Sequence, residues 1–176
     1  MKTAFALAAA LAVVGVANAQ VVINEIRIDQ PGTDNQEYFE LAGTAGASLN
    51  TYTYIVIGDG TGASGVIEAV VSLAGLLMPA DSHFLGVETS WNTSPPTGWP
   101  GGTPDATFGT LLNFENGDNV THLLVDGFTG ANGNDLDTND DGVLDSTPWT
   151  SILDSVALIV DPTFTTSERV YSSTMV

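Results

Sequence analysis

Thr51-Tyr52-Thr53-Tyr54-Ile55-Val56-Ile57 is an unbroken run of β-branched and aromatic residues. Side chains of this kind suit a pleated, packed surface and lose rotamer freedom in a helix, so the run predicts a β-strand. It is broken by Gly58-Asp59-Gly60-Thr61-Gly62-Ala63-Ser64-Gly65. That glycine cluster lacks the lysine of a phosphate-binding loop and no helical pattern follows it, so it reads as a flexible hairpin loop. Shorter runs of the same character lie on both sides: Val21 to Ile28, Glu37 to Leu41, Val66 to Leu73, His83 to Val87, Thr110 to Phe114, Val120 to Val125 and Ile152 to Val160. Turn clusters separate them, among them Gln30-Pro31-Gly32-Thr33-Asp34-Asn35 and Met78-Pro79-Ala80-Asp81. Glu115-Asn116-Gly117-Asp118-Asn119 reads as a hairpin turn. Trp91 to Pro104, rich in Pro, Gly, Ser and Thr, reads as a long surface loop. Some eight short strands without intervening helical periodicity predict an all-β chain folded as an antiparallel β-sandwich with long loops.

The beginning of the chain has a different character. Met1-Lys2-Thr3 is followed by an apolar run from Ala4 to Val16 and by the small residues Ala17-Asn18-Ala19. This is the pattern of a cleaved signal peptide over residues 1–19, with the cut expected between Ala19 and Gln20. The run is too short to span a bilayer, so no membrane insertion is expected after cleavage. Residues 20–160 would form the domain, and 161–176 a weakly patterned C-terminal tail whose end is expected to be truncated.

Cleavage would remove Lys2, the only lysine, leaving Arg27 and Arg169 against twenty-one Asp and Glu residues. Two arginines cannot neutralise the phosphates of a nucleic acid, and an anionic membrane is disfavoured for the same reason. A net charge of −18 keeps the chain soluble but makes it repel itself, which bound cations would relieve. There is no cysteine, so the fold has no disulfides to rely on. An acidic, cysteine-free, exported chain fits a bacterial envelope or extracellular setting, secreted or at the cell surface. Asn92-Thr93-Ser94 and Asn119-Val120-Thr121 are therefore read as chance sequons.

Val22-Ile23-Asn24-Glu25-Ile26, then Gly32-Thr33-Asp34, then Glu37-Tyr38-Phe39-Glu40-Leu41 resemble the opening of a lamin-tail domain. Leu49 and Thr53 to Ile57 continue in that family's order. Gly117-Asp118-Asn119-Val120 and Asp154-Ser155-Val156 resemble its later segments, so the likeness spans roughly Val21 to Ile159. The resemblance implies an immunoglobulin-like sandwich of the exported bacterial type. It does not carry over the binding roles of the nuclear members, whose basic surface this chain lacks. By alternation, Asn24 would point inward with Val22, Ile26 and Ile28. It would need a polar partner there, and Glu40 on the neighbouring strand could clamp it and fix the register.

Asp135-Leu136-Asp137-Thr138-Asn139-Asp140-Asp141-Gly142-Val143-Leu144-Asp145 is the densest chemistry in the chain. From Asp137, oxygen donors fall at positions one, three and five of a calcium loop (Asp137, Asn139, Asp141). Gly142 supplies the turn, Val143 a backbone carbonyl, and Asp145 stands at position nine. Position twelve is Pro148 rather than Glu and no helices flank the loop, so it is not an EF-hand. It resembles the Asp-x-Asn-x-Asp-Gly-x-x-Asp loops of thrombospondin type 3 and dockerin-like calcium proteins. An all-oxygen donor set excludes zinc and copper chemistry, and Ca2+ tolerates such a loop better than Mg2+ does. The missing ligand is expected from Asp135, Asp140 or Asp118. The competing reading is a solvated acidic turn.

No catalytic assembly accompanies it. The chain has no cysteine and no Gly-x-Ser-x-Gly elbow, and His83 and His122 lack metal-binding spacing. Each histidine is read as a surface or hydrogen-bonded core residue. Trp91 and Trp99 could line a sugar-binding face. The expectation is an exported, non-catalytic, calcium-stabilised module for adhesion or recognition, with an extracellular protein or glycan as partner. The alternatives are an accessory domain of a secreted nuclease or phosphatase, or a matrix protein with no small-molecule ligand.

Overall fold

The computed structural model describes residues 20–60, 64–92, 96, 103–112 and 114–176. The signal-peptide reading and Trp99 lie outside these residues. Eight strands follow in chain order: β1 (Val22–Arg27), β2 (Tyr38–Ala42), β3 (Tyr52–Gly58), β4 (Val66–Ser72), β5 (His83–Val87), β6 (Ala106–Thr107), β7 (Val120–Asp126) and β8 (Ser151–Leu158). One turn of 3-10 helix, Thr89–Asn92, follows β5. The strands form two four-stranded sheets, ordered β1-β2-β5-β6 and β4-β3-β7-β8. Every pairing is antiparallel except the short parallel contact of β6 with β5. The protein is an all-β sandwich.

Its inner layer joins Phe39 and Leu41 of β2 and Phe84 of β5 to Tyr54 and Val56 of β3, Ala69 and Val71 of β4, and Leu124 of β7. The alternate residues of the second sheet are buried as well. Ile55, Ile57, Ile67, Leu123 and Val125 pack beneath Leu136, with Phe128, Leu144, Trp149 and Tyr171 against them. The β7–β8 connection and the C-terminal segment therefore cover the sheet's outer face. A strand buried on both faces carries a continuous apolar run, which explains why residues 51–57 lack a polar alternation.

Four expectations are corrected. Residues 109–112 form a turn, with the Leu111 N–H donating to the Phe108 carbonyl at 3.1 Å, so Thr110 to Phe114 is not a strand. The strand in this region is β6, which pairs with β5, and Glu115 to Asn119 is consequently not a hairpin turn. Asn24 does not enter the core. A β-bulge between Ile23 and Glu25 leaves it unpaired in the ladder; Val21 and Ile23 pack on the core in place of Val22 and Asn24, while Ile28 packs there as expected. A bulge adds one residue and so exchanges the faces that simple alternation assigns. The clamp is present at the surface, where the Asn24 amide donates to Glu40 Oε1 at 2.6 Å.

Trp91 is not on a sugar-binding face: it is 2% exposed and meets Tyr38 edge-on at 5.3 Å. The tail is weakly patterned in sequence but it packs. Met175 bridges Ala157 of β8 in parallel, and the Ala157 and Val176 N–H groups donate to Thr174 and Ala157 carbonyls.

Candidate metal centre

The acidic loop is held by the strands beneath it. The N–H of Gly133 donates to the Ile67 carbonyl at 2.7 Å, and that of Ile67 to the Asn134 carbonyl at 2.9 Å. Asp135 bridges Val66, and the Leu136 N–H donates to the Gly65 carbonyl at 2.9 Å. Leu136 is thereby driven into the outer apolar cluster. Its neighbour Asp137 is left wholly buried.

Asp137 is the hub of the loop. Its Oδ1 accepts from the Asp141 N–H at 3.2 Å, and its Oδ2 from the Gly142 N–H and the Tyr171 hydroxyl, both at 2.8 Å. Asp135 Oδ1 in turn accepts from the Asp137 N–H at 3.0 Å. Asp141 Oδ1 accepts from the Val143 N–H, and Asn139 bonds Asp141 through its amide. Asp145 Oδ2 accepts from both the backbone N–H and the hydroxyl of Thr138. Gly142 at φ +88° and Asp140 at φ +54° make the reversal. Glycine takes this left-handed conformation freely and Asp tolerates it.

The structure thus gathers Asp135, Asp137, Asn139, Asp141 and Asp145 in one compact loop, each side chain bonded to an N–H or O–H donor. Val143 is exposed, and its N–H donates to Asp141 Oδ1 at 2.9 Å. Among the described residues, no group of three or more Asp, Glu or His side chains is drawn close enough to hold a metal ion by itself. Of the residues considered for the missing ligand, Asp118 lies elsewhere. The charged groups acting on it are Asp59, Glu68 and Glu115, none of them in the loop. Asp140 has a buried Oδ1 with no donor, and its carbonyl accepts from Arg169 Nε at 3.2 Å.

Two participants come from the tail and have no sequence signal. Arg169 and Tyr171 sit 29 and 34 residues beyond their partners Asp140 and Asp137, in a segment without periodicity, and only the fold brings them back. Burial, and then the Asp137 carboxylate, hold the Tyr171 hydroxyl protonated well beyond its ordinary range. Asn119 tethers the tail from the other side. Its amide donates to the Asp161 and Glu168 carbonyls, and its Oδ1 accepts from the Val160 and Asp161 N–H groups. At 1% exposure it is not available as a glycan acceptor, in line with reading its sequon as chance.

The histidines have structural partners. His122 is buried with its Nδ1 2.8 Å from the Tyr54 hydroxyl and its ring edge-on to Phe114. Burial pushes it down to about 3, so it is neutral at ordinary pH. His83 is exposed, and its ring bonds the Asp81 carbonyl.

Glu37 is the most consequential titrating group in the sandwich. It is 2% exposed, and its Oε2 accepts from the Phe114 N–H at 3.2 Å. Burial, opposed by that bond and reinforced by Glu88, Asp34 and Asp29, pushes it up to about 8. The folded form therefore retains a proton that the unfolded chain has released above its ordinary value of 4.5. Stability from this group is complete below pH 4.5 and falls as pH rises to about 8. Glu37→Gln keeps the acceptor and removes the ionisation. It is expected to leave stability at pH 4 unchanged and to raise it at pH 8 by on the order of 2–3 kcal/mol. Urea denaturation at the two pH values checks this, and an equal effect at both would refute the assignment.

No family model, curated protein or solved structure matches the chain. What it does has to be argued from its own residues.

Proposed function

We propose that the protein is an exported, lamin-tail-like module with an immunoglobulin-like sandwich. It binds Ca2+ in the 135–145 loop and acts, without catalysis, in extracellular or cell-surface adhesion or recognition. Export rests on the first nineteen residues, and the family reading on the order of motifs from Val22 to Val156. The observation that carries the calcium reading is Asp137. A wholly buried carboxylate is fixed by backbone N–H groups of its own loop, with Asn139, Asp141 and Asp145 on the same turn. Carboxylate oxygens so fixed keep lone pairs free, which a hard cation accepts. The metal's chemistry would be neutralisation and cross-linking of the loop, with Val143 contributing its carbonyl. Such a role is stabilising, and the recognition surface would lie elsewhere.

Calcium titration of chelator-stripped protein, followed by calorimetry and thermal melting, tests the loop. Binding heat and a raised melting temperature are expected by millimolar Ca2+. No heat and no shift would refute it. The second reading, an accessory domain of a secreted nuclease or phosphatase, would be favoured by a coding sequence running past Val176 into a catalytic domain.

A further inference from the structure

A cavity of about 570 Å3 lies between the β1–β2 connection and Pro96, and it shares no residue with the acidic loop. Arg27, at the end of β1, lines it together with Gln30, Asn35 and Gln36, and Pro31 adds a second apolar ring to that of Pro96. Among the described residues no Asp or Glu lines it, in a chain that has twenty-one of them. Asp29 and Asp34 belong to the same connection, but both accept from the Asn116 amide, at 3.4 Å and 2.9 Å, and neither lines the cavity.

The bonds around the cavity decide which atoms it offers. Arginine only donates, so the bond from Arg27 Nη2 to Gln36 Oε1 at 3.2 Å leaves the Gln36 amide nitrogen over. A backbone carbonyl only accepts, so Gln30 turns its Nε2 to the Thr33 carbonyl. The same nitrogen donates to Asn35 Oδ1 at 2.9 Å, which leaves Asn35 Nδ2 over in turn. Gln30 is 8% exposed, and its Oε1 is buried without a donor. Arg27 Nε is likewise buried without an acceptor, and no carboxylate among the described residues pairs with this arginine. Buried polar atoms normally have partners. In a chain of net charge −18, an unpaired guanidinium edge in an acid-free lining is where an incoming carboxylate is attracted rather than repelled.

We infer that this cavity binds a sugar acid, the hexuronate unit of an acidic glycan. The carboxylate takes the Arg27 guanidinium edge and the Gln36 amide nitrogen. A ring hydroxyl, which both donates and accepts, takes Asn35 Nδ2 and gives its proton to Gln30 Oε1, while C–H faces of the ring lie on the prolines. Both orphaned atoms are thereby satisfied. A single cation suits a singly charged carboxylate, whereas a phosphate dianion brings a second charge that nothing in the lining neutralises. An acidic peptide lacks the hydroxyls beside its carboxylate. The inference rests on the recognition reading for its setting and supplies the surface that reading leaves open.

Titration of the full chain with D-glucuronate and D-galacturonate, in chelator and followed by NMR, tests the site. Glucose, galactose and an aspartate dipeptide are the controls. At least one uronate is expected to bind at roughly millimolar concentration, with its parent hexose and the dipeptide at least about tenfold weaker. Arg27→Gln is expected to weaken that uronate by at least about tenfold. Gln36→Glu keeps a partner on Arg27 but places an internal carboxylate on the guanidinium, so it is expected to lose the uronate while melting no lower than the parent. Unchanged uronate binding in Gln36→Glu would overturn the site, whether or not Arg27→Gln folds. No binding of either uronate, or equal binding of the dipeptide, would overturn the ligand class. A glycan bound equally by the parent and both variants would overturn this cavity and leave the recognition reading standing.

Discussion

Asp137→Ala is expected to lower the free energy of unfolding by roughly 3–5 kcal/mol in chelator and to abolish the loop's share of the calcium-dependent melting shift. The substitution strips the acceptor from the Asp141 and Gly142 N–H groups and from the Tyr171 hydroxyl at once, in a position with no exposure to water. The Asp141 N–H keeps Asn139 Oδ1 as an acceptor, so the loss falls on the Gly142 N–H and the Tyr171 hydroxyl, at about 1–3 kcal/mol for each donor left unpaired. Tyr171→Phe separates the contributions, since it removes the donor together with its need and should cost only about 1 kcal/mol. Equilibrium denaturation of both variants decides the matter. A loss under about 1 kcal/mol for Asp137→Ala would mean that the loop does not hold the β7–β8 connection to the sandwich.

Phe39→Ala should be comparably severe, roughly 3–5 kcal/mol, for a reason unrelated to charge. Phe39 is fully buried and stacks on Tyr54 at 4.2 Å, with Phe108 at 5.7 Å and Phe84 at 6.3 Å. It is therefore the contact through which β2 grips the opposite sheet. Its ring lies over Gly86, the residue that faces it in β5. A Cβ at Gly86 would fall 2.6 Å from Phe39 Cζ and 2.8 Å from Phe108 Cε2. Gly86→Ala alone should thus destabilise by overpacking, and it should cost less once Phe39 is already Ala. Thermal melts of the two single variants and the double variant form the cycle. Additive losses would show that ring and glycine are not complementary.

The β-rich class and the seven longer strands could be read from the sequence because each carries its own local signal. β3 is dominated by β-branched and aromatic residues and β7 by apolar ones, despite His122 and Asp126, and β5 matches its expected bounds, His83 to Val87. β6 had no such signal. Two residues, Ala106 and Thr107, cannot display a period, and their pairing with β5 is set by the loop that returns them. Asn24 was misassigned because one inserted residue shifts the alternation, and a bulge leaves no mark in composition. Trp91 was misread because a Pro/Gly-rich context says nothing about the pocket that Tyr38, Leu85 and Val87 provide. The acidic loop was legible as a spacing, but its clasp was not. Tyr171 and Arg169 reach it only through the tail's return along β8.

The same returning segments have a further consequence for the second sheet. On its β4 side, residues 132–135 bond to Ile67 and Glu68 and bridge Val66. On its β8 side, the tail runs alongside Ala157 and Ile159. Sheet edges left bare invite pairing with other molecules, and proteins often blunt them with lysine. Lys2 is the only lysine in this chain, so none of the eight strands carries one. Here the chain covers one end of each border itself, at Val66 to Glu68 and at Ala157 to Ile159, so the segments that build and clasp the acidic loop also narrow the edge open to self-association.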